Sequence, residues 1–383
     1  MKSHLAISGI EQIKCIEQGK INAGMPELEV DTERAVSPYE FLPSWFFYTP
    51  VVMQSLFQGV RHRDWGLPLI ANPSIKLSGM VGESKHDILS LAGEHAKQWI
   101  SPFITVTRDL RNVSQQLDSA LEAMSQAQLS FPIVAKPDLG CRGAGVKLLQ
   151  DKDQLASYIE SFPRDARFLL QEKAPYQAEA GVFYVRYPED TRGKIISITL
   201  KYAPSVTGDG VSTLQQLIDN CPRAGQLSHL YLPRHEDKLQ EVLELGEEFQ
   251  LAFAGSHSRG SIFRNGNQYI TEALSQKLDE IFDDLDGFHY GRLDIKFADI
   301  HQFMQGEAFT ILEINGASSE AAHIWDRNTP LSEIFSTLLE QYRILFDIGA
   351  RQKRRGHKTP SMAALLNAWR EEKLLTQQYP ATD

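Results

Sequence analysis

The chain has few cysteines and no long apolar run, and each of these absences argues against a class of protein. Its three cysteines, Cys15, Cys141 and Cys221, are far apart and form no Cys-x-x-Cys pair. This argues against a disulfide framework or a zinc knuckle and favours the reducing cytoplasm. No uncharged apolar run of about 18 residues is present, as a membrane-spanning helix would require. The N-terminal segment also lacks the apolar stretch of a signal peptide.

An excess of basic residues is lacking as well. The 383 residues include 39 Lys and Arg against 49 Asp and Glu, which gives a formal charge of −10 at pH 7. A protein with this balance is not expected to bind nucleic acids or anionic membranes in general. This balance still allows a locally basic active site. The sequence leaves the oligomeric state open, with a homodimer as one option.

The length and the pattern of predicted elements indicate an α+β fold with two or three subdomains. Apolar periodicity predicts helices and strands in alternation. The predicted helices cover residues 84–98, 113–126, 152–161, 236–253, 274–285, 331–346 and 362–375. The strands predicted before residue 172 cover residues 102–106, 131–136, 146–149 and 168–171.

Two segments outside this alternation each have two interpretations. An aromatic-rich stretch at 41–50, followed by an amphipathic segment at 51–60, is more typical of buried packing than of a membrane-surface anchor. A basic run at 351–358 is more typical of a solvated tail than of a partner site.

Asp294, Glu313 and Asn315 indicate more about function than any other residues. Asp294 lies in a segment of alternating apolar and polar residues, 291–299, and the other two lie in a second predicted strand, 309–315. The spacing of two places Glu313 and Asn315 on one face of their strand, and a hairpin brings Asp294 beside them. Two carboxylates and an amide oxygen suit Mg²⁺ rather than zinc. The hairpin therefore predicts a magnesium site for phosphoryl chemistry.

The glycine-rich turn after Lys136 is a second candidate for phosphate binding. It has the spacing Gly140-x-x-Gly143-x-Gly145 and precedes a predicted strand. This excludes a dinucleotide-binding turn, which opens a helix, and a P-loop, which ends in Gly-Lys-Ser/Thr. What remains is a hairpin loop whose backbone N–H groups can approach phosphate oxygens, with Lys136 as a point charge. Taken alone, a plain β-turn is the commoner interpretation.

The segment 168–185 is predicted to connect two subdomains, because a strand runs through a proline-containing link into another strand. The exposed backbone of such a link can pair with an adenine edge. Glu179 can accept hydrogen bonds from ribose hydroxyls, as carboxylates do in other nucleotide sites. In isolation, Glu172 and Glu179 would be ordinary surface carboxylates.

In this order the motifs resemble those of the ATP-grasp superfamily, and in particular those of D-alanine:D-alanine ligase and related carboxylate-amine ligases. The set consists of a lysine before a glycine-rich loop, Glu-Lys with a further Glu seven residues after the first, Gly-Arg-x-Asp, and Glu-x-Asn, within residues 82–325. The resemblance implies ATP and Mg²⁺ as cofactors. The chain lacks the His-Gly-x-x-Gly-Glu-Asp-Gly stretch with which D-alanine:D-alanine ligases place their first substrate. The resemblance thus extends to the chemistry and not to the substrate.

The resemblance also implies roles for single residues. Lys201 belongs to a segment, 199–218, that is similar to the Gly-Asp-Gly-x-x-Thr stretch of cyanophycin synthetase and like ligases, which implies a cation of a closing lid. The Gly-Asp-Gly turn can equally lead into a helix capped by Ser212 or Thr213. The other implied roles are phosphate binding by Lys85, Lys136, Gly140 and Gly143, adenine binding by Glu172, Lys173 and Ala174, ribose binding by Glu179, contact with the transferred phosphoryl group by Arg292, and Mg²⁺ binding by Asp294, Glu313 and Asn315.

The fold that the resemblance implies is two α/β subdomains that grip ATP, preceded by a smaller domain. The expected boundaries are an N-terminal pre-ATP-grasp domain at 1–95, a lid subdomain at 96–178, a C-terminal subdomain with the magnesium site at 179–346, and a basic helical tail at 347–383.

The implied function is ATP-dependent ligation of a carboxylate and an amine through an acyl phosphate, on amino acids or small peptides. Two alternatives stay open: a kinase of the same fold that phosphorylates a small molecule, and a nucleotide-binding regulator without turnover. Arg259 and Arg264 are candidates for binding the substrate carboxylate bidentately, although surface arginines are commoner than such clamps.

Overall fold

The computed structural model describes residues 21–28, 39, 42–140, 143–253, 255–257, 260–380 and 382. The described strands are β1 Phe103–Thr107, β2 Ile133–Pro137, β3 Lys147–Leu149, β4 Arg167–Glu172, β5 Ala178–Val185, β6 Lys194–Tyr202, β7 Ser205–Thr207, β8 Glu248–Gln250, β9 Ile262–Asn265, β10 Tyr290–Phe297 and β11 Phe309–Asn315. The described α-helices are α1 Ser44–His62, α2 Lys85–Leu89, α3 Glu94–Lys97, α4 Val113–Gln126, α5 Lys152–Ser161, α6 Leu214–Asn220, α7 Ser228–Tyr231, α8 Glu272–Asp283, α9 Ile300–Met304, α10 Leu331–Arg354 and α11 Met362–Thr376.

Two antiparallel sheets organise the molecule, and the predicted α+β class is confirmed. The first has four strands in the order β1-β4-β2-β3, and the second has five in the order β11-β10-β5-β6-β9. A small third sheet pairs β7 with β8. Strands β4 and β5 are consecutive in the chain but lie in different sheets, so residues 173–177 connect the two large sheets.

Each large sheet has its own apolar core. Residues of α4 and α5 pack on the four-stranded sheet. One face of the five-stranded sheet packs against α8 and α9, and part of its other face packs against α10. The rest of that second face carries polar side chains. The subdivision of the chain at residues 95, 178 and 346 remains a prediction.

Most predicted elements are present, and the helices at 113–126 and 152–161 have the predicted ends. The hairpin that joins the Asp294 and Glu313 segments is also confirmed, although helix α9 lies within the connection. Thr213, rather than Ser212, caps α6 in a capping box with Gln216. Within the described residues, no helix is both long and apolar enough to cross a membrane.

The predicted helix at 236–253 is wrong, and the predicted helix at 84–98 is interrupted. Gly246 has a φ of +82° and donates its N–H to the Gly208 carbonyl, so the chain turns and continues as β8. The second helix is divided into α2 and α3, because Gly93 donates its N–H to the Asp284 carbonyl and the Asp284 carboxylate accepts the N–H of His95. In both places a contact distant in sequence outweighs the local apolar pattern.

The structure describes most of residues 41–60 and all of residues 351–358, the two segments for which the sequence allows two interpretations. Phe47 and Val51 of α1 are buried, as the packing interpretation of residues 41–60 expects. The basic run is exposed at residues 353–358, as the interpretation of a solvated tail expects, although its first residues belong to a helix. Helix α10 extends to Arg354 and includes Arg351, whose Nη1 lies 2.7 Å from Glu189 Oε2.

His289 gives the fold a predicted dependence on pH. Burial lowers the pKa of His289 to about 4, the charges of Arg186 and Arg355 add to this, and Asp286 opposes it. A base with a lowered pKa stays neutral in the folded protein and gains its proton on unfolding. The free energy of unfolding is therefore unaffected by His289 above about pH 6.5. As the pH drops towards 4, protonation of His289 in the unfolded chain lowers this free energy, by about 3 kcal/mol at most.

The measurement is the urea midpoint of unfolding between pH 7.5 and 4.5 for the wild type and His289→Asn. We expect the variant to lose stability less steeply with falling pH. His323 is present in both proteins, and burial lowers its pKa as well, so the difference between the two curves isolates His289. Parallel curves would contradict the assignment.

Candidate active site

One face of the five-stranded sheet carries most of the residues that the sequence singled out. The register places Asp294 opposite Glu313 and Arg292 opposite Asn315 across β10 and β11. Because paired residues of antiparallel strands project to the same side, these four side chains share one face. Across β5, Asp294 pairs with Gly181, which extends the same face towards β6.

Asp294 is held between two cations. Its Oδ1 lies 2.9 Å from Lys201 Nζ and accepts a 3.0 Å hydrogen bond from Arg292 Nε. Burial alone would raise the pKa of Asp294, but Arg292 and Lys201 outweigh it and hold the pKa at about 2. Both contacts fall on Oδ1, and Oδ2 forms no hydrogen bond or ion pair with a described residue. Asp294 is therefore an anion at neutral pH, with one carboxylate oxygen available.

Lys85 links the hairpin to the glycine-rich turn. Its Nζ lies 3.4 Å from Glu313 Oε1 and donates a 2.7 Å hydrogen bond to the Gly140 carbonyl. Burial opposes the charge on Lys85, but Glu313 and Glu83 outweigh it and raise the pKa of Lys85. The lysine that the resemblance matches to the first phosphate site is therefore a stable cation between the predicted metal ligand and the predicted phosphate loop.

Lys136 differs from Lys85 in having no carboxylate partner among the described residues. It is buried in β2 and forms no ion pair with any described residue. Burial lowers the pKa of Lys136, and the charge of Lys85 lowers it further, while Glu313 and Glu179 raise it. Placing a cation in a protein interior without a direct partner costs stability. A bound anion such as a phosphate would compensate that cost, which makes Lys136 the strongest indication of an anionic ligand.

Lys201 does not lie on a lid. It is buried in β6, and besides Asp294 its Nζ lies 3.2 Å from Glu179 Oε1. The interpretation of Lys201 as a lid cation does not fit this location, since the Gly-Asp-Gly loop begins at Gly208, beyond the end of the strand that fixes Lys201 in the sheet. Glu179 also lies 3.6 Å from Lys296 Nζ, so the predicted ribose ligand is paired with two lysines.

The oxygen-rich part of the cluster fits Mg²⁺. No three His, Cys, Asp or Glu residues among those described form a metal site by themselves. Mg²⁺ usually takes one or two carboxylates and completes its shell with water and substrate phosphates, which the pair Asp294 and Glu313 matches. Two polar atoms are buried there without a partner, Thr199 Oγ1 and Asn315 Nδ2. A flip of the Asn315 side-chain amide exchanges its nitrogen and oxygen, so the amide oxygen can occupy this position and bind a metal ion.

The predicted adenine segment lies at the connection between the sheets. The backbone groups of Glu172 are engaged in hydrogen bonds and are not available to adenine. The N–H donates to the Pro102 carbonyl, and the carbonyl accepts from Ser101 Oγ. Lys173 and Ala174 follow the end of β4, where the chain leaves the ladder. The adenine role remains a prediction, and the structure favours the backbone of these two residues over that of Glu172.

The C-terminal segment packs on the glycine-rich turn. Gly140, Gly143 and Gly145 all have positive φ values, which glycine adopts without strain. The Tyr379 hydroxyl donates to the Leu139 carbonyl, and Thr382 Oγ1 donates to the Gly143 carbonyl and accepts the N–H of Gly145. The tail therefore contributes to the surroundings of the predicted phosphate loop.

The two candidate arginines are not brought to this cluster. Arg259 lies outside the described residues. Arg264 pairs with Leu200 across β9 and β6, whereas Lys201 pairs with Phe263, so Arg264 occupies the opposite face of the sheet. Its Nη1 lies 3.8 Å from Asp326 Oδ1 instead. The expected role of Arg264 in binding a substrate carboxylate at this cluster has no support from its placement.

Several neighbours of the cluster were missed in the sequence. Glu83 accepts a 2.6 Å hydrogen bond from the N–H of Gly316, and burial raises its pKa to about 8. No local pattern indicates this contact, because Glu83 and Gly316 are 233 residues apart in the sequence. The alternation along β10 and β5 identifies Lys296 and Gly181 only once the register is known. Thr199 has no sequence signal beyond its place two residues before Lys201.

Gly181 lets the two cations reach Asp294. A Cβ atom at Gly181 would lie 3.1 Å from Arg292 Cδ and 3.4 Å from Lys201 Cε. We therefore expect Gly181→Ala to displace these side chains by a few tenths of an ångström and to lower, roughly 10-fold, the rate of the ADP formation that the motif resemblance implies, with little loss of stability. Steady-state kinetics and thermal unfolding check this.

Val182→Ala is the matched control for Gly181→Ala. Val182 is the next residue of β5, is buried and faces the apolar core on the other side of the sheet. Its truncation should cost about 2 kcal/mol of stability and leave the rate unchanged. Equal effects of the two substitutions on the rate would show that Gly181 acts only through the fold.

Comparison with known proteins gives similarity over part of the chain. No protein-family model matches it. The glutathione biosynthesis bifunctional protein of Streptococcus agalactiae is 32% identical over 136 residues, which cover 34% of this chain and 16% of that protein. The chain therefore spans about a sixth of the length of the curated relative that it matches.

Solved structures also align with parts of the chain. A bifunctional glutathione synthetase from Pasteurella multocida aligns with 14% identity and a TM-score of 0.34, over 67% of this chain and 35% of that one. A D-alanine–D-alanine ligase from Bacillus anthracis aligns with 13% identity and a TM-score of 0.40, over 74% and 72%. The ATP-grasp resemblance therefore rests on the order of the motifs and on the partial sequence similarity to the glutathione biosynthesis protein.

Proposed function

We propose that this protein is an ATP-dependent carboxylate-amine ligase that forms an amide or peptide bond through an acyl phosphate. The observation that carries the proposal is the single sheet face on which Asp294, Glu313 and Asn315 lie beside Arg292 and Lys201. Carboxylates next to several cations suit a ligand that combines metal ions with phosphates.

Asp294, Glu313 and Asn315 would hold the Mg²⁺ ions. When bound there, Mg²⁺ neutralises phosphate charge and orients the nucleotide phosphates. The oxygens available for this are Asp294 Oδ2 and the Glu313 oxygen that does not face Lys85.

The cations of the site would bind the phosphates of ATP. Lys85 and Lys136 come from the side of the four-stranded sheet and the glycine-rich turn, and Arg292 and Lys201 come from the five-stranded sheet. Fixed cations around a transferring phosphoryl group stabilise the charge that develops on its oxygens. Since phosphoryl transfer requires little covalent chemistry from the protein, this placement supports catalysis without a nucleophilic side chain.

The proposed reaction has two steps. A carboxylate oxygen of the first substrate attacks the γ-phosphorus of ATP, the bond to the β-phosphate oxygen breaks, and ADP leaves. The amine of the second substrate then attacks the acyl carbon, loses a proton and expels phosphate. Closure of the site over its substrates would exclude water and so limit hydrolysis of the acyl phosphate.

Amino acids or small peptides are the proposed substrates, with no nucleic acid or membrane partner, and the cytoplasm is the proposed location. The partial similarity to a protein of glutathione biosynthesis supports this substrate class. The low cysteine count supports the location.

The experiment that tests the proposal measures ADP and phosphate release from Mg²⁺ and ATP in the presence of pooled amino acids and small peptides. Mass spectrometry on the same samples identifies the product. A new amide mass that depends on ATP is the expected result. A phosphorylated product without amide would assign the kinase function instead, and nucleotide binding without any turnover would assign the regulator.

A further inference from the structure

Helix α1 has two apolar faces, and the described part of the chain covers one of them. On the inner face, Phe47 and Val51 are buried against Ile334 and Leu338 of α10. This packing fixes α1 on the body of the protein. It leaves the opposite side of α1 turned to solvent.

The outer face is largely apolar and exposed from Trp45 to Val60, with Thr49 as a polar residue within it. We define it as the side of α1 formed by Trp45, Val52, Met53, Leu56, Phe57 and Val60, which are 50–69% exposed. At 100° per residue these positions fall within about 140° of the helix circumference, so they form one stripe. Residues 44–60 contain no Asp, Glu, Lys, Arg or His.

The size of this surface matches one side of a protein interface. Trp45, Phe57 and the adjacent Trp65 are 55–69% exposed, and side chains of this kind bury roughly 150–250 Å² each, so the three provide about 400 Å². The exposed aliphatic side chains add about 250 Å², at roughly 100 Å² for each whole side chain. The total approaches the roughly 800 Å² that each partner contributes to a stable interface.

A second copy of this chain is the occupant that fits best. The face carries no charge, so it meets its own copy without placing like charges in contact. The chain as a whole has a formal charge of −10, which opposes an anionic membrane surface. The exposed Arg61 and Arg63 lie at the C-terminal end of α1. An antiparallel pairing of two α1 helices separates these cations, whereas a parallel pairing would place them together.

We propose that the outer face of α1 is a homodimer interface in which the α1 helices of two copies pack antiparallel about a two-fold axis. In such an interface the same patch is used twice, and a residue near the axis contacts its own counterpart. The stripe runs from position 45 to position 60, so its centre lies near Val52 and Met53. The proposal does not depend on the proposed ligase activity.

Sedimentation velocity of the full chain over a range of concentrations is the first test. We expect the wild type to dimerise and Phe57→Asp to raise the dimer dissociation constant about 30-fold or more, as the loss of a large aromatic anchor does. Leu245→Asp is the control, because Leu245 is 83% exposed and lies outside α1. It should leave the dimer intact. A monomeric wild type at tens of micromolar, or a Phe57→Asp dimer of unchanged affinity, would overturn the proposal.

Cysteine cross-linking provides a second test that does not require a stable charged variant. Met53→Cys should form a disulfide-linked dimer under mild oxidation, beyond the background of the wild type with its three cysteines. Leu245→Cys should not. Absence of cross-linking at both Met53 and Val52 would exclude the antiparallel arrangement. Flotation of a monomeric wild type with neutral or anionic vesicles would assign the face to a membrane instead and would also overturn the proposal.

Discussion

Asp294→Asn is expected to abolish Mg²⁺-dependent ADP formation. The substitution removes the negative charge and one carboxylate oxygen from the predicted metal site but keeps the size of the side chain. Changes in the residues that merely orient metal ligands cost roughly 10–100-fold, so the loss of a ligand should exceed about 100-fold. The measurement is the steady-state rate of ADP release at saturating Mg²⁺.

The same substitution should also destabilise the fold. Lys201 Nζ lies 2.9 Å from Asp294, and Arg292 donates a hydrogen bond to the same oxygen. Removing the anion leaves these two cations partly buried with less compensation, which costs about 3 kcal/mol. Activity must therefore be measured at a temperature where circular dichroism shows the variant to be folded.

Asp326→Asn separates the two effects. Asp326 is a buried carboxylate that lies 3.8 Å from Arg264 and accepts a 2.7 Å hydrogen bond from the N–H of Asn265 in the edge strand β9, so it makes no contact with Asp294 or Lys201. We expect this control to lose stability but to keep its rate of ADP formation. Near-normal turnover in Asp294→Asn, or an equal loss of rate in Asp326→Asn, would contradict the metal assignment.

Lys136→Met is expected to reduce ATP affinity while stability stays equal or rises. The cation is buried without a described ion-pair partner, so its replacement by an apolar chain of similar length removes a desolvation cost. A lost charge-assisted hydrogen bond to phosphate is worth about 1.5–3 kcal/mol, which corresponds to roughly a 10- to 100-fold loss of affinity. Calorimetric titration with ATP and thermal unfolding measure the two quantities.

Lys201→Met is the matched control, since Lys201 is also buried but lies within 3.2 Å of two carboxylates, those of Glu179 and Asp294. Its removal should lower stability, which is the opposite sign from Lys136→Met. Unchanged nucleotide affinity in Lys136→Met would remove its phosphate role. A clear loss of stability would show instead that Lys136 has a structural partner.

The sequence predicted what depends on local spacing. Glu313 and Asn315 are two residues apart, so their shared face followed from strand geometry, and the hairpin then placed Asp294 beside them. The position of Lys136 in a strand before a glycine-rich turn followed in the same way. These residues form the centre of the candidate site.

What the sequence could not predict depends on pairing between distant segments. Arg264 was a reasonable candidate until the β6–β9 register placed it with Leu200. Glu83 meets Gly316 only in the folded chain. The segment 236–253 has an apolar pattern compatible with a helix, but the turn at Gly246 and the pairing of β8 with β7 override it. In each case a tertiary contact decides between local alternatives.

The most direct measurement of the central claim is calorimetric titration of the protein with ATP in the presence and absence of Mg²⁺, for the wild type and Asp294→Asn. If Asp294, Glu313 and Asn315 hold metal ions against nucleotide phosphates, Mg²⁺ will strengthen ATP binding to the wild type and will have little effect on the variant. ATP binding to the wild type that is absent, or that is indifferent to Mg²⁺, would contradict the claim.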